Sequence, residues 1–247
     1  MKFTISSMLL AIMLTKSHSV EGTNSTISIP VNPLAIKDRY RRRMNSNRRP
    51  AHDKSFWSSQ EIEACLDATY EANVVVDGAH LFFLAEPENK DSKCPAVAVD
   101  NGAMDTDHDT LIPHVSILDE SPVEGLALDH SLSLGSLSEA LSQMNPTDYS
   151  ISSNEYDLTG NNCATFLLHL CEKIGLNYHE PETNANIVNY IGKSLAANEH
   201  FVDNVRKAYL EENTGTFQQM KFYLWKYYVG DEGMTRALVK NYMEVVE

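Results

Sequence analysis

From Cys163 to Gly175 the apolar side chains fall at Phe166, Leu167, Leu170, Cys171 and Ile174. These steps of three and four lay one stripe along one side of a helix. Asn161 or Asn162 can cap its free N–H groups and Gly175 can end it, which predicts Cys163 at the first helical position. Upstream the pattern changes to strand-like runs: VVVDGAHLFFLAE at 74–86, PAVAVD at 95–100 and LIPHVSIL at 111–118. A shorter run, EGLALDH at 124–130, is expected as a hairpin partner. Ser58 to Glu61 fits a capping box opening a helix through Ile62, Cys65, Leu66 and Tyr70, and Ser136 to Glu139 fits another running through Leu141. After Tyr178 the pattern is helical near 184–197, 198–212, 216–229 and 233–246, with breaks at Gly215, Gly230 and Gly233. The fold class expected is α+β: a small antiparallel sheet, a cysteine helix packed on it, and an all-helical C-terminal tail.

The two ends differ in character from the middle. MKFTISSMLLAIMLTKSHSVEG carries an early lysine, a short apolar run and small residues after it, the pattern of a secretory signal peptide over 1–22. Residues 23–55 lack periodicity and are expected as a basic flexible linker or pro-segment, with 56–180 the main domain and 181–247 the helical region. No later stretch approaches the roughly 20 apolar residues of a membrane helix. A soluble, secreted protein is therefore expected, in keeping with the acceptor sequon Asn24-Ser25-Thr26. Lys37 to Arg49 holds seven positive charges and one negative, whereas from Ala51 onward 11 basic residues face 32 acidic ones. That acidic body repels phosphate, so no nucleic acid is expected as partner.

Asp105, Asp107 and Asp109 mimic the opening of a calcium loop, but Thr110 and Ser116 stand where that loop needs glycine and glutamate. No metal and no cofactor are called for. Cys163 and Cys171 cannot pair on one continuous helix, since eight residues span about 12 Å against a Cα limit near 7 Å. Cys65 and Cys94 are free to pair with each other. At a helix start the unpaired N–H groups and the dipole favour a thiolate, so Cys163 is the candidate nucleophile and Cys171 a core residue. The thiol needs a base. Of nine histidines, two lie in strand-like runs. His114 and Ser116 alternate with Val115 and Ile117, so His114 faces away from the two β-branched residues. His80 shares a face with Phe82 and Leu84, as a packed core residue would.

The order of a histidine strand, a hairpin, LSLGSLSEALSQM and YDLTGNNCATF resembles the PPPDE family of thiol peptidases. His114-Val115-Ser116-Ile117 is similar to the start of the family pattern and Gly135-Ser136 to its middle. Tyr156, Asp157, Leu158, Asn162, Cys163 and Phe166 are similar to its end. The resemblance covers roughly residues 74–178. It implies a permuted papain-like fold and a thiol hydrolase acting on an amide or isopeptide bond of a protein or peptide. The Asn-Cys helix after a histidine strand is also, more distantly, similar to relatives of lecithin retinol acyltransferase, which implies acyl transfer as an alternative. A secreted, acidic, non-catalytic binding module is a further alternative. Local pattern prefers His114 as the base. Spacing prefers His80, which precedes Cys163 by 83 positions against 49 for His114.

Overall fold

The long apolar run around Val74 to Glu86 does not form one strand. It folds back at Gly78, whose φ of 67° lies in the left-handed region that glycine enters without strain. The two halves are β2 (Thr69–Asp77) and β3 (His80–Pro87), paired antiparallel from Tyr70↔Pro87 to Asp77↔His80. The turn makes His80 the first residue of a strand. In this computed structural model the described residues are 48–78, 80–103, 110–118, 125–144, 151–152 and 163–212, with scattered positions between Tyr223 and Lys240.

Five further strands complete the sheet: β1 (Arg49–Pro50), β4 (Ala96–Ala103), β5 (Thr110–Leu118), β6 (Leu126–Ser133) and β7 (Ile151–Ser152). The order is β1-β5-β4-β3-β2-β6, with β7 also on β5, and every pairing is antiparallel. The α+β class with an antiparallel sheet stands. The hairpin expected of residues 124–130 with the strand before it does not form, because β6 crosses to the far edge and pairs with β2. There Leu128 and Leu132 join the main core. A register shift between Glu71 and Asn73 accompanies the pairing, as at a β-bulge.

Strand alternation sends Val74, Val76, Leu81, Phe83, Val97, Val99 and Val115 into the main core. Val75, Phe82, Leu84, Ala98 and Leu118 form a smaller cluster on the opposite face. Central strands covered on both faces read as continuous apolar runs. That is why the sequence offered no alternation to separate β2 from β3.

The helices whose bounds fall among the described residues are α1 (Lys54–Trp57), α2 (Gln60–Glu63), α3 (Leu134–Gln143), α4 (Cys163–Lys173), α5 (Pro181–Ala196) and α6 (Glu199–Glu212). The helix expected from Ser58 through Tyr70 is cut short to α2, with α1 preceding it. The chain leaves helical geometry after α2, Cys65 is tied to Cys94 by a disulfide, and Tyr70 enters β2. Helix α3 starts earlier than expected. Its capping box joins Ser133 and Ser136, which exchange side-chain to backbone hydrogen bonds at 3.0 and 3.1 Å.

The boundary at residue 55 also needs correction. Residues 48–55 belong to the fold: β1 pairs with His114 and Val115, Ala51 N donates to Pro113 O at 2.9 Å, and α1 follows. The region after 181 is not a detached tail either. Helix α5 packs on β2 and β6, and its Ile187, Val188, Ile191 and Leu195 lie in the main core. The expected segments 216–229 and 233–246 fall largely outside the described residues. Among the described residues, no helix is long and apolar enough to cross a membrane.

Candidate active site

Helix α4 begins at Cys163, as its periodicity predicts. Phe166, Leu167, Leu170 and Cys171 are buried on the sheet side, and the helix packs on β3 and β4. Gly175 follows the helix with φ of 87°, the left-handed conformation that ends helices. Cys163 is thus fixed by a row of core contacts along its own helix. Asn161, Asn162 and the segment from Tyr156 to Leu158 lie outside the described residues, as do the signal, the sequon and the aspartates at 105–109.

Cys163 is among the groups that act on His80, as a hydrogen-bond partner of the imidazole. His80 also meets the buried carboxylate of Asp100, its Nε2 lying 2.8 Å from Oδ2. An ionised carboxylate only accepts hydrogen bonds, so Nε2 carries a proton. This leaves Nδ1 as the nitrogen available to exchange a proton with sulfur. Phe82 lies beside the imidazole, with ring centroids 6.2 Å apart. Asp100 receives a second bond at the same oxygen, from Arg48 Nη2 at 2.7 Å. The line is therefore Cys163, His80, Asp100 and Arg48.

The charges in this line reinforce one another. Burial works against a charged imidazole at His80. The hydrogen bonds to Asp100 and Cys163, with the negative charges of both, outweigh it and push the pKa up to about 10. Burial likewise opposes ionisation of Asp100. The Arg48 guanidinium and the His80 bond and charge overcome that, holding its carboxyl well below the usual carboxylate range. The favoured state of His80 is the imidazolium, held beside the Asp100 carboxylate.

His114, the base preferred from local pattern, is elsewhere in this network. It lies opposite Asp100 in the β4–β5 register, is fully buried, and has no exposed cleft of its own. Burial, reinforced by the positive charge of Arg48, pushes its pKa down to about 4. It is a neutral core histidine. The structure brings His80, the alternative that spacing preferred, to Cys163, and sets His114, the one that local pattern preferred, buried opposite Asp100. Val115 packs in the main core, as its alternation with His114 predicted.

The other groups are occupied in different ways. Cys171 is fully buried, and burial pushes its thiol up to about 12, as expected of a core cysteine. His130 Nε2 lies 3.0 Å from Ile174 O, and the His179 ring lies tilted against Tyr178, with centroids 4.1 Å apart. Among the described residues no cluster of histidine, cysteine or acidic side chains has the makings of a metal site.

Sequence reasoning did not find Asp100 or Arg48. The only signal for Asp100 was an acidic residue ending the apolar run PAVAVD. Arg48 was one of many cations in a basic stretch. No protein-family model, curated protein or solved structure matches this chain.

Proposed function

We propose that this protein is a cysteine hydrolase that cleaves an amide or isopeptide bond of a protein or peptide, on a permuted papain-like domain of the PPPDE type. The observation that carries the proposal is His80, hydrogen-bonded at once to the Cys163 side chain and to the buried Asp100. A thiol, an imidazole and an orienting carboxylate in one line are what covalent catalysis by cysteine requires. Asp100 fixes the tautomer and stabilises the imidazolium, as the third member of such a line does.

The chemistry proceeds in two halves. The Cys163 thiolate attacks the carbonyl carbon and forms a C–S bond, placing negative charge on the carbonyl oxygen. Backbone N–H groups at the start of α4 are the natural donors to that oxygen. His80 gives its Nδ1 proton to the departing amine nitrogen as the C–N bond breaks, leaving a thioester. Water then attacks the thioester while His80 takes its proton. The acid leaves and the thiolate–imidazolium pair is restored. The Cys65–Cys94 disulfide supports placing this activity in the secretory route, where such bonds persist.

Alkylation of the folded protein with iodoacetamide from pH 5 to 9 tests the proposal. Cys163 should react well before Cys171, and Cys163→Ala should abolish the fast phase. His80→Gln should slow it at least tenfold near pH 6, in line with the roughly 100-fold or larger contribution of a positioned base. Equal rates for His80→Gln and the wild type at every pH would sink the proposal.

One observation favours a second reading. Cys163 is only 5% exposed, as suits a retained fold serving as a binding module. A Cys163 that resists the probe throughout the pH range supports that reading. Release of an acyl group to an added alcohol or amine, in place of water, would instead identify acyl transfer.

A further inference from the structure

We infer that Arg48 is a positioning residue that holds Asp100 ionised and aimed while His80 passes between its charged and neutral forms. The inference rests on the reading of Cys163 and His80 as nucleophile and base. Both cations bond the same oxygen of Asp100, Arg48 at 2.7 Å and His80 at 2.8 Å. The carboxylate side chain is only 3% exposed, and its Oδ1 is buried with no hydrogen-bond partner among the described residues. A buried carboxylate with no cation beside it takes up a proton.

His80 answers that need only while it is protonated. When its proton goes to a leaving group, the imidazole is neutral and its countercharge is gone. A guanidinium never gives up its charge in this way. Arg48 keeps Asp100 an acceptor through both states, and its charge eases proton release from His80.

Among the described residues the surroundings supply no substitute. His80 comes from β3, Asp77 lies opposite it on β2, and Cys163 comes from α4. From β5 the neighbour is His114, in register with Asp100 and held neutral by burial, while His52 acts on His114 from the turn after β1. Of these groups, Arg48 alone keeps its positive charge when His80 has given up its proton. Its side chain is 7% exposed, and the residues after it are fixed by pairing of β1 with β5.

Arg48→Gln removes the charge and keeps a polar side chain of similar reach. Both limbs of the Cys163 alkylation profile should move to higher pH by about one unit, the size expected for a charge at this range. The His80 resonance, assigned by its loss in His80→Gln, should titrate higher by a similar amount in NMR. Arg48→Lys should bring both back toward the wild type. A part that only supports the fold would lower stability and leave the limbs in place. Coincident limbs and coincident His80 titrations in wild type and Arg48→Gln overturn the inference.

If Arg48→Gln does not fold, the double variant Arg48→Gln/Asp100→Asn, which buries neither charge, is compared with Asp100→Asn. His80 should titrate higher in the double variant, and equal titration again overturns the inference. A wild type without fast alkylation refutes the functional reading instead, while the NMR titration still decides the role of Arg48.

Discussion

His114 stays neutral at a pH where an exposed histidine begins to charge, and this has a consequence for acid stability. Its pKa falls from 6.5 to about 4 on folding, so between those values the unfolded chain binds a proton that the native one refuses. Stability must then fall as pH drops from about 6.5 toward 4, by about 3 kcal/mol in all at roughly 1.4 kcal/mol per unit. His80 acts in the opposite sense. Its raised pKa contributes stability below about 6.5 that is lost as pH rises through about 10. The contribution of Asp100 is present above the ordinary carboxylate pKa and lost only in stronger acid. Urea denaturation of His114→Asn should show a flatter decline between pH 6.5 and 4 than the wild type. Parallel declines would contradict the assignment. At this scale the sequence disclosed the place of Cys163 at its helix start, because helical period and glycine stop are local signals. It did not disclose which histidine meets Cys163, since His80 and His114 both sit in apolar runs on the same sheet face. Nor did it disclose Asp100 and Arg48, which meet across 52 positions of chain that no local pattern encodes.

Among the elements, the chain after α2 and the chain before β4 are joined by the Cys65–Cys94 bridge, with Cα atoms 5.6 Å apart and a sequence separation of 29. Closing a loop of that size restricts the unfolded chain by about 3 to 4 kcal/mol. Cys65→Ala/Cys94→Ala should therefore unfold at clearly lower urea concentration, by about 3 kcal/mol, while the Cys163 reaction with a thiol probe persists in the folded fraction. Unchanged stability would mean that the bridge restricts nothing. Strands β4 and β5 and helices α4, α5 and α6 were legible to within a few residues, since each carries its own period or its own apolar run. Strands β2 and β3 merged because both faces of the central sheet are covered, leaving Gly78 as the one break in a continuous run. The path of β6 to β2 was hidden for another reason. Its alternation specifies a half-buried strand and says nothing of which neighbour it joins.

For the molecule as a whole, the beginning of the described chain closes the sheet on one side. A chain shortened to start at Ala51 loses Arg48 and strand β1 together, leaving Asp100 buried without its permanent cation. Loss of one partner from a buried ion pair costs about 3 to 5 kcal/mol. Such a chain should melt well below the full protein in calorimetry, and an unchanged melting temperature would show the segment to be dispensable. The same two residues have a further effect. Strand β5 has β4 on one side, while its outer side meets β7 at Thr110 and Leu111 and β1 at His114 and Val115. An uncovered strand of this kind is a template for a strand of another chain. Arginine and proline are poor templates, the first by charge repulsion and the second because it has no N–H to donate. Strand β1, outermost among the described residues, is therefore expected to disfavour self-association. Light scattering should find the shortened protein assembling at concentrations where the full chain stays dispersed.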